Sequence, residues 1–331
     1  LRNIGGRTSQ YLDVRMNNLT LAITIVLFGC IQNVSVDETR LLQAPTSPYV
    51  LVLGIAQDAG YPQAGCYKEH CMRAWANPAF RRSATSLALI DPVSKQKWLF
   101  EATPDIKNQL YELNKIAPDS LYQLSGVFLT HGHMGHYTGL MHFGREAMGT
   151  QQIKVFTMPR MEKYLRENGP WSQLVKLNNI KLESIRDSIS VKLTSSIEVT
   201  PLQVPHRDEF TETVGFQVQT KSKGLLFIPD IDKWEKWSTD IKVMVENNDY
   251  ALLDATFFGA DELPGRDMSE IPHPFVVESL KLYEPLKISH KSKVHFIHFN
   301  HSNPLLIPNS PARDMVTAEY NLAEEGLIFL L

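Results

Sequence analysis

Three histidines lie within six residues directly after a predicted strand, and this cluster constrains the fold more than any other feature of the chain. The apolar run 127–129 is followed by His131, His133 and His136. Side chains alternate along an extended chain, so His131 and His133 leave the backbone on the same side, and His136 returns as the chain turns. Neutral imidazole is the commonest protein ligand for zinc and related cations. The cluster therefore predicts one side of a metal site, and the alternative is a polar loop with solvated histidines.

The spacing His-x-His-x-x-His after a buried strand resembles the signature of the metallo-β-lactamase superfamily. The usual signature carries aspartate where this chain has Gly135. The resemblance covers residues 49–331 and implies the αβ/βα fold, a four-layer α/β sandwich with two sheets face to face and helices outside. Alternation of apolar strands with helical stretches favours the α/β class from the residues themselves.

Apolar runs bounded by turn-forming residues predict the strands, and apolar residues at helical spacing predict the helices. The predicted strands are 49–56, 86–90, 97–100, 125–130, 154–157, 197–204, 214–220, 225–228, 250–253 and 294–299. The predicted helices are 104–114, 160–167, 233–245, 274–283 and 313–324.

Residues 1–48 differ from the rest and are predicted to form a signal or lipoprotein-type segment with a linker. The apolar run 19–29 is short for a membrane span and suits a secretory signal. A small residue before Cys30 resembles a bacterial lipoprotein cleavage box, which implies an exported protein anchored to the membrane on the periplasmic side. The alternative is a disordered or membrane-grazing tail on a cytoplasmic protein.

Composition limits the partners. The formal net charge of −3 argues against a broad nucleic-acid-binding surface. Three cysteines are too few for a disulfide scaffold. The expected partners are a small-molecule substrate, the membrane through Cys30, and a second copy of the chain.

Further metal donors occur at the ends of other predicted strands, where loops hold ligands on a rigid scaffold. His206 follows the extended run 200–205, and Asp230 closes the apolar run 224–228. A carboxylate beside a buried strand is costly unless it is paired or metal-bound. His298 ends the last long strand. Asp254 ends a similar run and is expected to support the site as a partner of a ligand or as a helix cap.

The resemblance implies a two-metal assignment for these donors. His131, His133 and His206 would hold metal 1, His136 and His298 would hold metal 2, and Asp230 would bridge. The expected cation is zinc, one or two per active site, with manganese or iron(II) as alternatives. Gly135 leaves metal 2 with fewer ligands, so the sequence predicts that Gly135→Asp tightens binding there.

A second resemblance is to the PqqB and PhnP branch of the superfamily, through the segments 53–71 and 101–106 and the Asn-Pro pair after His301. In that branch a cysteine cluster in the first loop can hold a structural zinc. Here Cys66, His70, Cys71 and His301 would form a Cys₂His₂ set, which is a normal closed zinc site. A Cys66–Cys71 disulfide and two free thiols are the alternatives.

The leading function is a metal-dependent hydrolase in which an activated water attacks a phosphodiester or related ester. His273, before a predicted helix, would contact a phosphate or protonate the leaving group, or else simply begin the helix. Asp58 is expected to approach the metals from the first loop as a catalytic residue, and Asp230 shares in catalysis. The alternatives are a PqqB-like protein of pyrroloquinoline quinone biosynthesis and an inactive metal-binding homologue.

Overall fold

The protein is described by a computed structural model that covers residues 45–331, and two mixed seven-stranded sheets dominate this part of the chain. The first sheet begins with β1 (Tyr49–Gly54), β2 (Ser86–Asp91), β3 (Gln96–Phe100), β4 (Gln123–Phe128), β5 (Ile153–Thr157) and β6 (Ile180–Ser184). The second contains β7 (Val191–Lys192), β8 (Ile197–Gln203), β9 (Val214–Thr220), β10 (Gly224–Ile228), β11 (Tyr250–Asp254), β12 (Val294–Ile297) and β13 (Asn321–Leu322). The last strand, β14 (Ile328–Leu330), returns to the first sheet beside β1.

Short helices connect and cover these strands. They are α1 (Glu69–Ala76), α2 (Ile106–Ile116), α3 (Met134–Tyr137), α4 (Pro159–Glu167), α5 (Trp171–Lys176), α6 (Ile241–Asn247), α7 (Val276–Tyr283), α8 (Ile288–Lys291) and α9 (Pro311–Thr317). None of the helices in residues 45–331 combines the length and the apolar character that crossing a bilayer requires.

Strand alternation produces the layers. In β1, Val50 and Val52 point into the core between the sheets, whereas Leu51 and Leu53 belong to a separate core beneath α2, α4 and α5. The inner core is rich in aromatic side chains, and Phe128 stacks on Phe156 with ring centroids 4.3 Å apart. Both faces of this sheet are therefore buried, and the predicted four-layer αβ/βα sandwich is confirmed.

The strands that matter for the site end at one edge of the sandwich. In the first sheet β1 and β4 run in the same direction as β3, and in the second sheet β8, β11 and β12 run in the same direction as β10. Backbone hydrogen bonds join the two sheets there, from Gln57 N–H to the Phe299 carbonyl (2.8 Å) and from Val214 N–H to the Thr130 carbonyl (3.1 Å). Loops that leave this edge consequently meet over the seam between the sheets.

Two predicted helices have the wrong bounds. The prediction 233–245 merges a 3₁₀ turn at 234–236 with α6, which begins only where the Asp240 side chain accepts a hydrogen bond from Lys242 N–H. The prediction 313–324 runs past the end of α9 at Thr317. Beyond that point Asn321 and Leu322 pair with β12, because edge-strand pairing replaces helical hydrogen bonds there.

The predictions for the N-terminal region concern residues that lie mainly outside the described part of the chain. This applies to the apolar run 19–29, to Cys30 and to most of the proposed linker. The first described strand begins at Tyr49, where the predicted folded domain begins.

Candidate metal centre

The loops at the shared edge bring four donors together in a first group. His131 and His133 follow β4, His206 follows β8, and Asp230 follows β10. His131 Nε2 lies 3.3 Å from Asp230 Oδ2, and His206 Nε2 lies 3.3 Å from Asp230 Oδ1. His133 points Nδ1 to within 2.7 Å of His131 Nε2. One ligand atom from each residue lies within 4.8 Å of the others, so a single cation could be held among them after small side-chain movements.

A second group lies beside the first. Asp58 from the loop after β1, His136 from α3 and His298 after β12 also place ligand atoms within 4.8 Å of one another. His136 Nε2 is 3.1 Å from Asp58 Oδ1 and 3.5 Å from Asp230 Oδ2. Asp230 therefore lies between the two groups, with Oδ2 close to both His131 and His136. This is the position that the sequence predicts for a bridging carboxylate.

Most of the imidazoles are held from outside through the nitrogen that does not face the centre. Such partners fix the tautomer and the ring orientation of metal-binding histidines. The outer contacts are His131 Nδ1 to Thr130 Oγ1 (2.8 Å), His133 Nε2 to Glu209 Oε2 (3.1 Å), His136 Nδ1 to Glu101 Oε1 (3.4 Å), His206 Nδ1 to Asp232 Oδ1 (3.3 Å) and His298 Nδ1 to Thr256 Oγ1 (2.9 Å).

Several inward-facing atoms lack a hydrogen-bond partner among the described residues. His206 Nε2, His298 Nε2 and Asp230 Oδ1 are all buried and unpaired in this sense. Leaving such atoms unpaired costs about 1–3 kcal/mol each. A bound cation removes that cost, because it coordinates the free lone pairs. The donor set of imidazoles and carboxylates fits a divalent metal.

Electrostatics in the pocket favour positive charge. Burial, reinforced by the neighbouring His136, holds the pKa of His131 well below its usual value, and burial lowers the pKa of His298. Burial alone would also lower the pKa of His136, but Glu101 and Asp58 raise it well above the usual value. Burial disfavours an ionised Asp230, yet the surrounding imidazoles keep its pKa well below normal. Negative charge from Glu101, Asp58 and Asp230 therefore favours a proton or a cation beside His136.

Backbone conformation is unusual at three residues of this edge. Asp58, Glu101 and His298 adopt φ values of 21°, 76° and 69°, a region that non-glycine residues rarely occupy. Such conformations cost about 1–3 kcal/mol each and persist where the surrounding structure requires them. The strain coincides with residues that face the centre or support it.

Gly135 is packed against the loop that carries Asp58. A Cβ added at Gly135 would lie 2.4 Å from Asp58 Cα and 2.6 Å from Asp58 Oδ1. No side chain fits there without moving the loop. The prediction that Gly135→Asp tightens metal 2 assumes free space at residue 135, and in the otherwise unchanged chain Asp58 fills that space.

His273 lies at the rim of the same centre. Its Nδ1 is 2.8 Å from Asp254 Oδ2 and 3.1 Å from Asp230 Oδ1. Burial opposes protonation, but Asp254 and Asp230 raise the pKa of His273 to about 9. Asp254 also accepts hydrogen bonds from Ile231 N–H and Thr256 N–H, so its oxygens are occupied. Asp254 therefore supports the centre, as the sequence predicts. Asp230, Asp254 and His273 also place ligand atoms within 4.8 Å of one another.

A cavity of about 350 Å³ opens beside the centre. Asp58 and His273 line it, and so do Arg207 and Arg266. Neither arginine forms an ion pair with any other residue between 45 and 331. Their positive charge is therefore available to a ligand.

The four residues predicted for a structural zinc also come together. Cys66, His70, Cys71 and His301 place ligand atoms within 4.8 Å of one another, and Cys66 Sγ lies 3.4 Å from His70 Nε2. Both cysteines are free, so the disulfide alternative is wrong for this structure. Burial raises the pKa of Cys71 to about 12 and lowers that of His301 to about 4. The imidazole is thus ready to coordinate, whereas the thiol must lose a proton.

The sequence analysis missed the part that Glu101 plays. It follows β3 as Asp230 follows β10, and it is completely buried. The same signal, a carboxylate directly after a buried apolar strand, identifies it. Thr130 and Thr256 carry no such signal, because hydroxyl residues occur throughout the chain. His295 belongs to none of these donor groups, and its ring packs on Phe329 with ring centroids 4.8 Å apart.

Comparison with known proteins decides the family. A family profile described as "Beta-lactamase superfamily domain" matches residues 96–299, which is more than half of the chain. The chain belongs to the metallo-β-lactamase superfamily. The matched range contains both imidazole groups apart from Asp58, which precedes it.

Similar members of the superfamily include proteins of the PqqB and PhnP type. The chain is 25% identical to the coenzyme PQQ synthesis protein B of Methylobacterium sp. (strain 4-46), over 85% of this chain and 99% of that protein. The Zn²⁺-bound PqqB structure from Methylobacterium extorquens has a TM-score of 0.71 at 23% identity, covering 86% of this chain and all of that one. A diphosphatase of the PhnP family has a TM-score of 0.60 at 20% identity, covering 86% and 97%. The structural matches support the fold of this superfamily member.

Proposed function

We propose that this superfamily member is a metal-dependent hydrolase that cleaves a phosphodiester or a related anionic ester, with zinc as the resident cation. The position of Asp230 between two imidazole groups carries the proposal, because it divides the donors into two adjoining cation positions. Cations bound there would acidify a water molecule and polarise the substrate oxygen. Zinc is favoured by the histidine-rich donor set, and the PqqB structure to which the fold is similar is zinc-bound.

Residues around the cavity would bind and orient the substrate. Arg207 and Arg266 supply positive charge for a phosphate group, which guanidinium groups recognise well. Phe257, Leu263 and Ile271 form apolar walls that exclude water from the bound substrate.

His273 would transfer a proton to the leaving group. All the hydrogen bonds and ion-pair contacts of its ring are made by Nδ1, so Nε2 is the nitrogen left for the substrate. Asp254 fixes the orientation of the ring. A positioned imidazole contributes about 10²–10⁴-fold in rate.

Hydrolysis of bis(p-nitrophenyl) phosphate by protein of known metal content tests this proposal. Asp230→Asn should lower kcat/KM by more than about 100-fold, since it weakens both positions. Arg207→Ala and Arg266→Ala should each raise KM about tenfold or more with kcat preserved, as expected for uniform binding. Asp261→Asn, an exposed carboxylate outside both groups, serves as the control. Metal-loaded wild type that does not turn over this or other anionic esters would contradict the proposal.

A second candidate is a PqqB-like role in pyrroloquinoline quinone biosynthesis. The observation that favours it is alignment with the Methylobacterium protein over 99% of that protein's length. In this case iron would replace zinc and the chemistry would be oxidative, since histidines with a carboxylate also suit non-haem iron. Restoration of quinone formation in a bacterium lacking PqqB would favour this role. The role would be excluded if quinone formation were not restored and the iron-loaded protein consumed no oxygen. Protein that is inert with every metal would indicate a binding protein.

We also propose that the protein is exported and lipid-anchored through Cys30. Support comes from the apolar run 19–29 and the small residue before Cys30. Cell fractionation with incorporation of labelled palmitate tests this. Wild type should be labelled and Cys30→Ser should not, and equal absence of label in both would contradict the anchor.

A further inference from the structure

The second cation position has too few imidazoles to hold a metal tightly without a carboxylate of its own. His136 and His298 supply two nitrogen donors, and Asp230 is shared with the first group. Asp58 lies beside these two histidines and belongs to the same group of possible ligands. It precedes residues 96–299, which match the family profile. Its Oδ1 lies 3.1 Å from His136 Nε2 and 3.9 Å from His298 Nε2.

The place of Asp58 depends on Gly135. The Cα of Gly135 contacts the Asp58 backbone so closely that any Cβ would lie 2.4 Å from Asp58 Cα and 2.8 Å from the Asp58 carbonyl oxygen. Real Cβ contacts are never this short. Residue 135 must therefore lack a side chain for the β1 loop to bring its carboxylate to the centre.

The loop is held in that place. Gln57 N–H donates to the Phe299 carbonyl (2.8 Å), next to His298, and Gly60 N–H donates to the Gln57 carbonyl (3.0 Å). Asp58 keeps a φ of 21° within this turn. The backbone bonds thus tie the loop to the strand end that carries His298, and strain is tolerated where it aims the carboxylate.

We propose that Asp58 is the carboxylate ligand specific to the second cation, and that a ligand on the β1 loop and a glycine at position 135 form one interdependent unit. The superfamily signature places this carboxylate at residue 135, within the histidine motif. In this chain it comes from a loop 77 positions earlier and occupies the same space. The inference rests on the metal centre of the proposed function.

Metal stoichiometry and affinity test the inference without requiring turnover. Wild type should hold two zinc equivalents at the centre, besides any in the Cys66 cluster. Asp58→Asn, which keeps the shape, should retain one and bind the other on the order of 100-fold more weakly, since loss of a ligand exceeds the effect of losing its outer partner. Asp261→Asn is the matched control and should match wild type.

Two glycine variants test whether the carboxylate of Asp58 must be in its observed position, and not only present in the chain. Gly135→Ala keeps Asp58 but pushes it aside, so it should also lose the second equivalent. Gly169→Ala is the matched control, because a Cβ there meets nothing within 4 Å. The double variant Asp58→Ala with Gly135→Ala should bind the second zinc no more weakly than Asp58→Ala alone, because both changes act through the same carboxylate.

Full occupancy and unchanged affinity in Asp58→Asn would overturn the inference. Equal loss of both equivalents in Asp58→Asn would overturn it too, because Asp58 would then support the whole centre. Cobalt substitution gives an independent spectrum for each position. If these metal results hold and no ester is cleaved, the proposed hydrolase function fails while the ligand assignment stands.

Discussion

Removal of the charge behind His136 is expected to weaken the second cation position selectively. Glu101 is completely buried, and its Oε1 lies 3.4 Å from His136 Nδ1, on the side of the ring that faces away from the centre. Glu101→Gln keeps the shape and removes the charge. The ring is then less basic and less firmly oriented, so its other nitrogen binds a cation more weakly.

The magnitude follows from competing effects. At about 4 Å and an effective dielectric constant of about 20, a unit charge pair is worth about 4 kcal/mol. Desolvation of the fully buried carboxylate offsets a large part of this. Outer partners of metal-binding histidines usually change affinity by about 10–100-fold, which corresponds to about 1.4–2.7 kcal/mol. We therefore expect the second zinc to bind about 10–100-fold more weakly and the first to be unaffected.

The assay is competition with a chromophoric chelator. Glu198→Gln, which changes an exposed carboxylate on β8, is the control. A second readout uses the metal-free protein. Burial raises the pKa of Glu101 above 4.5, so the folded state retains this proton longer than the unfolded chain does. The free energy of unfolding that protonated Glu101 contributes is therefore lost as pH rises above about 4.5. In Glu101→Gln the free energy of unfolding should not fall in this way. Unchanged zinc affinity, or equal weakening of both equivalents, would refute the reasoning.

Four further predictions concern other parts of the molecule. Cys71→Ser should remove one zinc equivalent and leave the active centre loaded, as measured by elemental content; loss of all zinc would contradict two separate sites. Zinc affinity of that cluster should rise at least about tenfold per pH unit between pH 6 and 8, because Cys71 must release a proton while His301, with a pKa of about 4, competes little; a flat profile would argue against thiolate ligation. Phe128→Ala, in the stacked aromatic core at the end of the strand that leads to the histidine motif, should lower the free energy of unfolding by about 3–5 kcal/mol in denaturant titration. His295→Phe should leave the metal content unchanged, and a loss of metal would mean that the wrong histidine near the C-terminus was assigned as a ligand.

The sequence predicts the first cation group well, because its signal is local. His131, His206 and Asp230 each follow an apolar strand, and strands that run in the same direction end at the same edge of a sheet. Order along the chain and donor chemistry then suffice to bring them together. The resemblance to the superfamily supplied the layers that strand patterns alone leave open.

The second group could not be predicted to the same depth. Asp58 and Gly135 are 77 positions apart, and their contact depends on the way in which the β1 loop crosses the histidine turn. Neither residue carries a local signal for that contact. The prediction for Gly135→Asp treated the missing side chain as an empty space, which in the structure is filled by Asp58.

Short edge elements were missed for a different reason. β7 and β13 contain two residues each, too few for an alternation pattern. They exist because neighbouring strands offer unpaired backbone groups, which is a tertiary effect. The bounds of α6 and α9 likewise depend on caps and on pairing with β12 more than on helical periodicity.

Anomalous diffraction at the zinc edge from crystals of the zinc-loaded protein tests the metal centre most directly. We expect two peaks about 3.5–4 Å apart, as in two-metal hydrolases, flanking Asp230, with Asp58 within bonding distance of the peak beside His136 and His298. A further peak should lie between Cys66, His70, Cys71 and His301. Zinc bound elsewhere, or no peak between the histidine loops under saturating zinc, would contradict the account.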